Sequence, residues 1–544
     1  MKRNFVLLFS LLLFFGSQSI TLNAQTDNVR SERVKKYENW HNADLKKNKK
    51  NGVSTNKAYD ELLKGKTSTK IIVAVIDGGV DIFHEDLKEV IWTNTKEIPD
   101  NGIDDDKNGY IDDIHGWSFL GIGKKGSLIY ESLELTRENV RLNNKFYGKK
   151  AKDIPAADTA DYSYFKYIKE RFIKERTESE ESYMWYKKVK GNWEESEAEI
   201  KKFSHKDTIT FEELKSLSTP INSTVGYAKE YLLKLMKLGI TKEAINSGFN
   251  QSEKSYLYET NPEYTPRKEI GDDPDNFRET KYGNNDVKGN RPFHGTFVSG
   301  IIAAKRNNNI GMNGIADNVE IMPIIVVPDG DERDKDVALA IKYAADNGAK
   351  IINMSFGKEF SPNKKEVLAA IEYATDHGVL VVHAAGNESM SNDTTMHYPS
   401  AYMNKSSRAI PSYIEVGAST LFKNKKLPAS FSNYGATTVD IFAPGEDIYS
   451  TNPENTYEIA SGTSFSCPVV VGVAALIWSY YPQLTSKQVK EIIIASGVSF
   501  ANKKVLRPFS GGKKAPKIKF GQLSISGKVV NVYNALKLAE TYKK

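Results

Sequence analysis

The chain has 544 residues, enough for one large domain with insertions or for several smaller domains. Its formal charge is +6, from 75 basic and 69 acidic side chains, which is too balanced to indicate nucleic acid or an anionic surface as a partner. The single cysteine, Cys467, excludes an intrachain disulfide, so stability must come from a buried core, with bound ions as a further source.

The chain begins with a pattern typical of a secretory signal peptide. A basic start, Lys2 and Arg3, precedes an almost wholly apolar stretch over 5–15, and a polar stretch ends at the small residue Ala24. The apolar stretch is shorter than the roughly 20 residues that cross a bilayer, which disfavours a membrane anchor. We predict a signal peptide over 1–24, a secreted or periplasmic protein, and no membrane association after cleavage.

The next segment, 25–69, is polar and charged, and we predict a leader that lies on a larger domain. From residue 70 onward, short runs rich in valine and isoleucine alternate with helical patterns. This alternation predicts an α/β fold with a doubly wound, mainly parallel sheet flanked by helices. The predicted strands are 71–77, 320–327, 350–355, 379–384, 414–417 and 439–443, and the clearest helices between them are 336–347 and 364–377.

One region departs from this alternation. Residues 121–282 contain no clear strand pattern, and charged amphipathic stretches take its place. We predict a helical insertion over 121–282 in an α/β domain made of 70–120 and 283–544. A solvated helical decoration with its own small core is favoured over a dedicated binding module.

The end of the chain returns to regular patterns. Residues 464–478 are apolar on all sides, which predicts a buried helix. Thr485 and Gln488 form a capping box at the start of a further helix, and 529–539 has the pattern of a last amphipathic helix.

A serine stands at the start of the predicted buried helix, in the stretch Gly-Thr-Ser-Phe-Ser-Cys-Pro over 462–468. A serine hydroxyl becomes a nucleophile when a base takes its proton and its surroundings keep it exposed. At a helix N-terminus, Ser464 would have free N–H groups and partial positive charge beside it, which suit a developing oxyanion. Taken alone, the stretch is more simply a helix N-cap.

Three further segments carry polar residues suited to the same chemistry. His294 opens a helix of small residues, which indicates a rigidly held base. Asp77 ends a buried strand, where open α/β sheets place ligands, and would orient such a histidine. Asn387 follows another buried strand and could donate its amide to an oxyanion. Each has a structural explanation by itself, but their order, Asp, His, Asn and Ser, is hard to explain otherwise.

In this order, the four segments resemble those of the subtilisin-like serine proteases of the secreted bacterial type, with a long insertion between the aspartate and the histidine. The resemblance implies a serine endopeptidase that cleaves protein or peptide substrates through an acyl-enzyme, and we expect a monomer. Asp77 would orient His294, which would act as base and then as acid. Ser464 would attack the scissile carbonyl, and Asn387 would hold the oxyanion.

The same resemblance implies two segments that bind substrate. One would pair with the substrate backbone as an added strand, and the other would form a wall of the primary specificity pocket. The first consists of Ser355, Phe356 and Gly357, and the second of Ala384, Ala385 and Gly386.

The sequence departs from the family pattern at three places near these residues. Phe297 stands where many relatives have a second histidine, and Gly78 stands where threonine or serine is usual. Neither position has a role in the triad. Cys467 replaces a small residue close to Ser464, and we favour a packed apolar side chain over a reactive regulatory thiol.

An acidic loop over 101–113 has the spacing of a structural calcium site, with oxygen ligands at positions 1, 3 and 5 and glycine at position 6. A solvated acidic turn is the alternative, because position 12 is His115 rather than glutamate and no EF-hand helices flank the loop. No organic cofactor is expected. The predicted calcium ligands are Asp104, Asp106, Asn108, the Tyr110 carbonyl and Asp112, and weaker candidates for an ion or a structural role are Asp81, Asp86 and Asp286.

Other classes of hydrolase fit less well. A metalloprotease is disfavoured because His84 and Glu85 have no second histidine at the required spacing. An α/β-hydrolase would need a Gly-x-Ser-x-Gly motif, which is absent from the sequence. The remaining alternative is a catalytically inactive binding or scaffold protein on the same fold, disfavoured because all four catalytic positions are present.

Overall fold

The computed structural model describes residues 32–402, 410–509 and 515–542, so the predicted signal peptide over 1–24 lies outside the described residues. The described chain divides into two compact units, a smaller one over Leu135–Tyr264 and a larger one formed by the segments on either side. The helices are α1 Leu45–Asn48, α2 Thr55–Ala58, α3 Glu134–Phe146, α4 Thr159–Ser204, α5 Phe211–Ser216, α6 Thr224–Lys237, α7 Lys242–Lys254, α8 Arg267–Ile270, α9 Phe293–Ala303, α10 Asp334–Asp346, α11 Lys364–Asp376, α12 Thr463–Tyr480, α13 Ser486–Ser496 and α14 Val532–Ala539.

All strands of the described chain lie in the larger unit. They are β1 Ile71–Asp77, β2 Trp117–Ser118, β3 Val319–Ile325, β4 Ile351–Met354, β5 Leu380–Ala384, β6 Tyr413–Ser419, β7 Ile441–Pro444, β8 Ile448–Asn452, β9 Thr456–Ala460, β10 Val498–Ser499, β11 Lys504–Leu506, β12 Lys517–Lys519 and β13 Lys528–Val529. Nine of them form one sheet in the order β10-β13-β7-β6-β5-β4-β1-β3-β2, while β8 pairs with β9 and β11 with β12. Only β10 and β13 pair antiparallel in this sheet, which confirms the predicted mainly parallel α/β fold.

The central strand β1 explains why these strands could be recognised as continuous apolar runs. Its side chains alternate between the two faces of the sheet. Val73 and Val75 belong to a core cluster that includes α12, whereas Ala74 and Ile76 belong to a second cluster that includes α10. Because helices cover both faces, every position of the strand before its last residue, Asp77, is apolar.

Helix α12 crosses the centre of the first cluster. Among the described residues it is the one helix long and apolar enough to span a membrane, and 89% of that stretch is buried inside the fold. Its composition is therefore that of a core helix. Pro468 lies in the second turn of α12 and cannot donate to the carbonyl of Ser464, which accepts from the hydroxyl of Ser355 at 2.8 Å instead.

The described part of the segment predicted as a leader contributes to the same core. Trp40, Val53 and Leu63 are buried in the cluster that contains α12. The indole nitrogen of Trp40 also donates a hydrogen bond to the carbonyl of Asp447 at 2.8 Å. Residues 32–69 thus contribute side chains to the core of the larger unit.

The smaller unit is helical throughout and is built around α4, which is 46 residues long. Its core contains Trp193 and Ile200 of α4 together with Leu232 of α6 and Ile245 of α7. The segment predicted as an insertion, 121–282, extends beyond this unit at both ends. Residues 121–134 and 265–282 belong to the larger unit. Their contacts with distant strands cannot be recognised from short-range sequence patterns.

The larger unit also buries a cluster of charged groups beside α10. The guanidinium of Arg267 contacts Asp272 at 2.6 Å and Asp336 at 2.7 Å, and the ammonium of Lys335 contacts Asp272 at 2.9 Å. These side chains are at most 6% exposed. Each charge is therefore stabilised by its partners rather than by water.

We expect Asp336→Ala to lower the free energy of unfolding by about 3–5 kcal/mol, because it leaves the buried Arg267 with a single carboxylate partner. Chemical denaturation monitored by tryptophan fluorescence would measure the change. Glu89→Ala, which removes a pair with Lys305 exposed on both sides, serves as the control and should change stability little. Equal effects of the two variants would contradict the assignment of the cluster as a buried network.

Candidate active site

Two of the predicted residues meet at the carboxyl end of the central strand. Asp77 is the last residue of β1 and is 2% exposed. His294 is the second residue of α9, and its Nδ1 lies 2.8 Å from Oδ2 and 2.9 Å from Oδ1 of Asp77. A carboxylate only accepts, so Nδ1 carries the proton of this hydrogen bond. The backbone N–H of Gly78 also donates to Oδ1 at 2.7 Å, which helps to fix the carboxylate.

The pKa of His294 is set by two opposing effects. Burial of the imidazole lowers it, but the negative charge of Asp77 and the hydrogen bond to it outweigh burial. The pKa of His294 is therefore raised above its ordinary value of 6.5. The side chain keeps 34% of its surface exposed, so it remains open to a reacting group.

A glycine allows α9 to approach the strand this closely. A Cβ added to Gly295 would lie 2.3 Å from the carbonyl oxygen of Gly79 and 3.2 Å from Cβ of Asp77. Backbone atoms cannot move aside as a flexible side chain can. Glycine after His294 is therefore required for the contact between His294 and Asp77.

Ser464 lies at the start of α12, next to the end of β4. Its hydroxyl donates to the carbonyl oxygen of Ser355 at 2.9 Å, and the hydroxyl of Ser355 donates to the carbonyl oxygen of Ser464 at 2.8 Å. Ser464 and His294, both within the described chain, share no hydrogen bond. The ring of Phe465 lies 5.6 Å from the imidazole of His294, so the start of α12 and the histidine are neighbours.

Asn387 follows β5 and is held by the first residue of α12. Its Oδ1 accepts from the N–H of Thr463 at 2.9 Å and from the hydroxyl of Thr463 at 3.0 Å. The amide Nδ2 donates to no residue in the described ranges, and the side chain is exposed. The acceptor Oδ1 of Asn387 is thus occupied, whereas its donor Nδ2 has no partner among the described residues. The orienting role of Thr463 was not predicted, although its place directly before Ser464 was a usable signal.

The predicted substrate-binding segments follow two paired strands. Residues 355–357 directly follow β4, and residues 384–386 begin at the last residue of β5. The two strands are parallel neighbours. The N–H of Gly386 donates to the hydroxyl of Thr463 at 3.1 Å, which links the second segment to the start of α12. The structure thus brings both segments to the edge where Asp77 also ends.

The unusual residues near the site have clear packing environments. Phe297 is fully buried and its ring lies 4.3 Å from that of Phe465, which in turn contacts His294. Cys467 is buried with Sγ 3.3 Å from the carbonyl oxygen of Val382, and burial raises the pKa of its thiol far above the usual range. Such a thiol stays protonated, which favours a packed residue over a reactive one.

The structure shows how the carboxylates of the acidic loop are arranged. Asp106 converges with Glu97 and Asp113, one ligand atom of each lying within 4.8 Å of the others. Asp112 instead accepts backbone hydrogen bonds from 101 and 102, and Oδ2 of Asp104 accepts one from 109. Glu97 and Asp113 were not among the predicted ligands. Glu97 lies outside the repeating spacing, so sequence offered no signal for it.

Two observations test whether this loop suits a calcium ion. Burial raises the pKa of Asp113 to about 6, and the charge of Asp106 adds to this effect. In addition, Oδ1 of Asp104 is buried without a partner among the described residues. Crowded carboxylates and an unused oxygen fit a hard cation. The loop therefore fits calcium, with Glu97 and Asp113 beside Asp106.

The three weaker ion candidates have protein partners. Asp81 contacts the ammonium of Lys288 at 3.2 Å, and Asp86 accepts from the hydroxyl of Tyr457 at 3.0 Å. Asp286 accepts from backbone N–H groups, including that of 126 at 3.0 Å. These carboxylates have structural roles in the larger unit.

Comparison with known proteins shows which protein family and which individual proteins this chain is similar to. The sequence profile of the subtilase family matches residues 68–512. The chain is 38% identical over 211 residues to subtilisin DY of Bacillus licheniformis, covering 38% of this chain and 72% of that protein. It is 43% identical over 187 residues to a thermophilic serine proteinase of Bacillus sp. strain AK1, covering 34% of this chain and 42% of that protein. It is 39% identical over 187 residues to thermitase of Thermoactinomyces vulgaris, covering 34% and 61%.

Proposed function

Because the chain belongs to the subtilase family, we propose that it is a serine endopeptidase that cleaves protein or peptide substrates through an acyl-enzyme. The observation that carries this proposal is the hydrogen bond between His294 and Asp77 beside the start of α12, where Ser464 lies. A base with an orienting carboxylate and a serine at a helix N-terminus are the parts that acyl transfer needs.

In the proposed mechanism, Asp77 determines which nitrogen of His294 acts as the base. With the proton on Nδ1 bonded to the carboxylate, Nε2 has a free lone pair. Nε2 takes the proton of the Ser464 hydroxyl as Oγ attacks the substrate carbonyl. The same proton then passes to the leaving amine as the peptide C–N bond breaks. A water molecule repeats these steps to release the acyl group and restore Ser464.

The hydroxyl of Ser464 must turn before this can happen. In the free protein it donates to the carbonyl of Ser355. We propose that a rotation about its Cα–Cβ bond transfers this hydrogen bond to Nε2 of His294 when substrate binds. Catalytic hydrogen bonds often form well only in the complex with substrate. The contact between the rings of His294 and Phe465 supports this, since it keeps the base next to α12.

The oxyanion would be held by two donors. One is the N–H of Ser464, which belongs to the first turn of α12 and has no partner within the helix. The other is Nδ2 of Asn387, left free because Thr463 occupies Oδ1. Donors that are oriented before the reaction would need little reorganisation as charge develops.

Asn387→Ala is expected to lower kcat by about 10²- to 10³-fold with a small change in KM, because one oxyanion donor is lost. Steady-state kinetics on a peptide substrate would measure both constants. Asn387→Asp is the matched variant, since it keeps the acceptor for Thr463 but replaces the donor with a negative charge. It should be at least as slow as the alanine variant, and near-normal kcat in the aspartate variant would contradict the assignment.

Labelling by a fluorophosphonate probe tests the proposed function directly. The full-length protein should react, and Ser464→Ala should not. Ser466→Ala is the control, because Ser466 is buried and donates to the carbonyl of Ala443, so labelling should persist. A wild-type protein that does not react would support the alternative, an inactive binding or scaffold protein on a subtilase fold.

We also propose that the acidic loop holds a structural calcium ion through Asp104, Asp106, Asp113 and Glu97. The ion would supply positive charge that relieves repulsion among these carboxylates. It would have no part in the acyl transfer.

Calcium added to protein treated with EGTA is expected to raise the melting temperature of the larger unit by at least about 2 °C, because binding favours the folded state. Differential scanning calorimetry would measure the shift. Asp106→Asn should reduce it, whereas Asp86→Asn, which removes a carboxylate with protein partners, should leave the calcium-dependent shift unchanged. Identical melting with and without calcium would argue for a solvated acidic turn.

The location proposed for the protein rests on its N-terminal sequence. The signal peptide pattern over 1–24 supports export from the cytoplasm. N-terminal sequencing of the exported protein should give Gln25 as the first residue, unless later processing removes part of the following segment. A product that retains residues 1–24 would contradict this proposal.

A further inference from the structure

The side chain of His397 lies between the two segments proposed to bind substrate. A Cβ added to Gly357 would meet Cε1 of His397 at 2.2 Å and Nδ1 at 2.9 Å, and one added to Gly386 would meet Nε2 at 3.1 Å. The nitrogen-bearing edge of the imidazole therefore touches the backbone of both segments. The imidazole ring of His397 therefore occupies the space between the two segments.

The backbone around His397 is held in place from one side. The N–H of Lys358 donates to the carbonyl of Tyr398 at 2.9 Å, and the N–H of Tyr398 donates to the carbonyl of Lys358 at 2.9 Å. Lys358 is itself buried, with its ammonium 2.7 Å from Glu134 and 2.8 Å from Asp334. This pairing prevents the segment that carries His397 from moving away from Gly357.

A second histidine blocks the space behind the ring. The rings of His383 and His397 are 5.6 Å apart. Nε2 of His383 donates to the carbonyl of Phe356 at 2.8 Å, and Nδ1 is bonded to Glu415 at 3.0 Å. Both nitrogens of His383 are thus occupied, and the buried pair with Glu415 does not depend on His397. The imidazole of His397 has no room to retreat in this direction.

In the part of the chain that the structure describes, no ion pair or hydrogen bond holds the His397 side chain in place. Burial, helped by the neighbouring His383, lowers the pKa of His397 to about 4, so its ring is neutral near pH 7. Its Nδ1 is buried without a hydrogen-bond partner among the described residues. A neutral ring with an unused nitrogen costs stability rather than adding to it. Its position therefore points to a role in what the neighbouring segments bind.

We propose that His397 is the specificity-determining residue of this chain, whose imidazole closes the primary specificity pocket to all but small side chains. The inference rests on the proposed function, and it names the substrate class: peptides with glycine, alanine or serine before the scissile bond. A larger side chain would have to displace a ring that is confined by Lys358, Tyr398 and His383. Packed walls of this kind discriminate by shape.

A metal ion fits the same cluster less well. His383, His397 and Glu415 each place one ligand atom within 4.8 Å of the others. However, the Nε2 proton of His383 is committed to the carbonyl of Phe356, and its other nitrogen is paired with Glu415. A metal would have to break that pair to gain its second ligand. The arrangement is therefore better suited to filling space than to coordination.

The experiment uses the full-length protein and a series of peptides that differ only in the residue before the scissile bond. Glycine, alanine, leucine and phenylalanine are compared by kcat/KM. The wild type should prefer alanine over phenylalanine by at least about 10-fold. In His397→Ala the ratio of kcat/KM for phenylalanine to that for alanine should rise by at least about 10-fold. His377→Ala, which removes an exposed histidine at the end of α11, should leave the ratio unchanged.

The experiment measures the ratio of kcat/KM for two substrates. A variant that is merely less stable lowers both values and leaves their ratio unchanged. An unchanged ratio in His397→Ala, with fluorophosphonate labelling retained, would overturn the inference. If that variant does not fold, the wild-type series decides, because cleavage after phenylalanine at least as fast as after alanine would also overturn it. Failure of the proposed function is distinguishable, since the wild type would then neither react with the probe nor cleave any peptide of the series.

Discussion

His294→Ala is expected to lower kcat for peptide hydrolysis by about 10⁶-fold with little change in KM, the magnitude known for subtilisin, a member of the same family. Without its imidazole, the base proposed to take the proton of Ser464 is missing. The hydroxyl would keep its hydrogen bond to the carbonyl of Ser355 and remain a weak nucleophile. Substrate binding through 355–357 and 384–386 would persist, which is why KM should change little.

Single-turnover and steady-state kinetics on the same peptide would measure this loss. The double variant His294→Ala with Ser464→Ala is the informative control. Because the two residues act as one unit, the second substitution should cost almost nothing further. A second loss of similar size in the double variant, or more than about 1% of wild-type kcat in His294→Ala, would contradict the roles proposed for these residues.

Asp77→Asn is expected to lower kcat by about 10⁴-fold while leaving the fold intact, again the magnitude known for serine proteases with this triad. An asparagine amide can donate to Nδ1 of His294, which stabilises the tautomer with the proton on Nε2. That tautomer cannot accept the proton of Ser464. The effect therefore comes from the hydrogen bond that now joins Nδ1 and the carboxylate at 2.8 Å.

The same substitution should change the pH dependence, and the sign follows from the pKa of His294. Protonated His294 cannot act as a base, so activity falls as the pH drops through this pKa. In the wild type, Asp77 raises the pKa above 6.5, so the acid limb of kcat/KM should lie above pH 6.5. Removing the negative charge lowers the pKa of His294, and the residual activity of Asp77→Asn should have its acid limb at lower pH.

The pH profiles of kcat/KM for the wild type and Asp77→Asn would test this second prediction. Asp86→Asn is the matched control, since it removes another buried carboxylate whose partners, such as Tyr457, lie outside the proposed site. Its acid limb should coincide with that of the wild type. The acid limb of kcat/KM in Asp77→Asn could instead lie at the same pH as in the wild type, or at a higher pH. Asp77 would then not raise the pKa of His294.

Much of the fold could be predicted because its main elements have strong local signals. The six predicted strands agree with β1, β3, β4, β5, β6 and β7 to within two residues at each end. Strands covered by helices on both faces appear as continuous apolar runs, which are easily recognised. The predicted capping box at Thr485 is also present. By contrast, β2, β10 and β13 are two-residue strands whose existence depends on a partner far away in the chain.

For the candidate site too, local sequence patterns predicted some features and not others. The amino-acid sequence by itself determined that Asp77 ends a buried strand, that His294 and Ser464 open helices, and that Asn387 follows a strand. These placements depend on periodicity and capping over a few neighbouring residues. Their order along the chain was enough to indicate the chemistry.

Only the tertiary structure decided which side chains meet. It paired the Ser464 hydroxyl with the carbonyl of Ser355, joined Asn387 to Thr463, added Glu97 to the acidic loop, and set His397 between the two segments that follow β4 and β5. Each of these contacts joins residues whose meeting depends on strand order, register and loop path. Local sequence patterns carry little information about such geometry, because it is determined by how distant elements pack together.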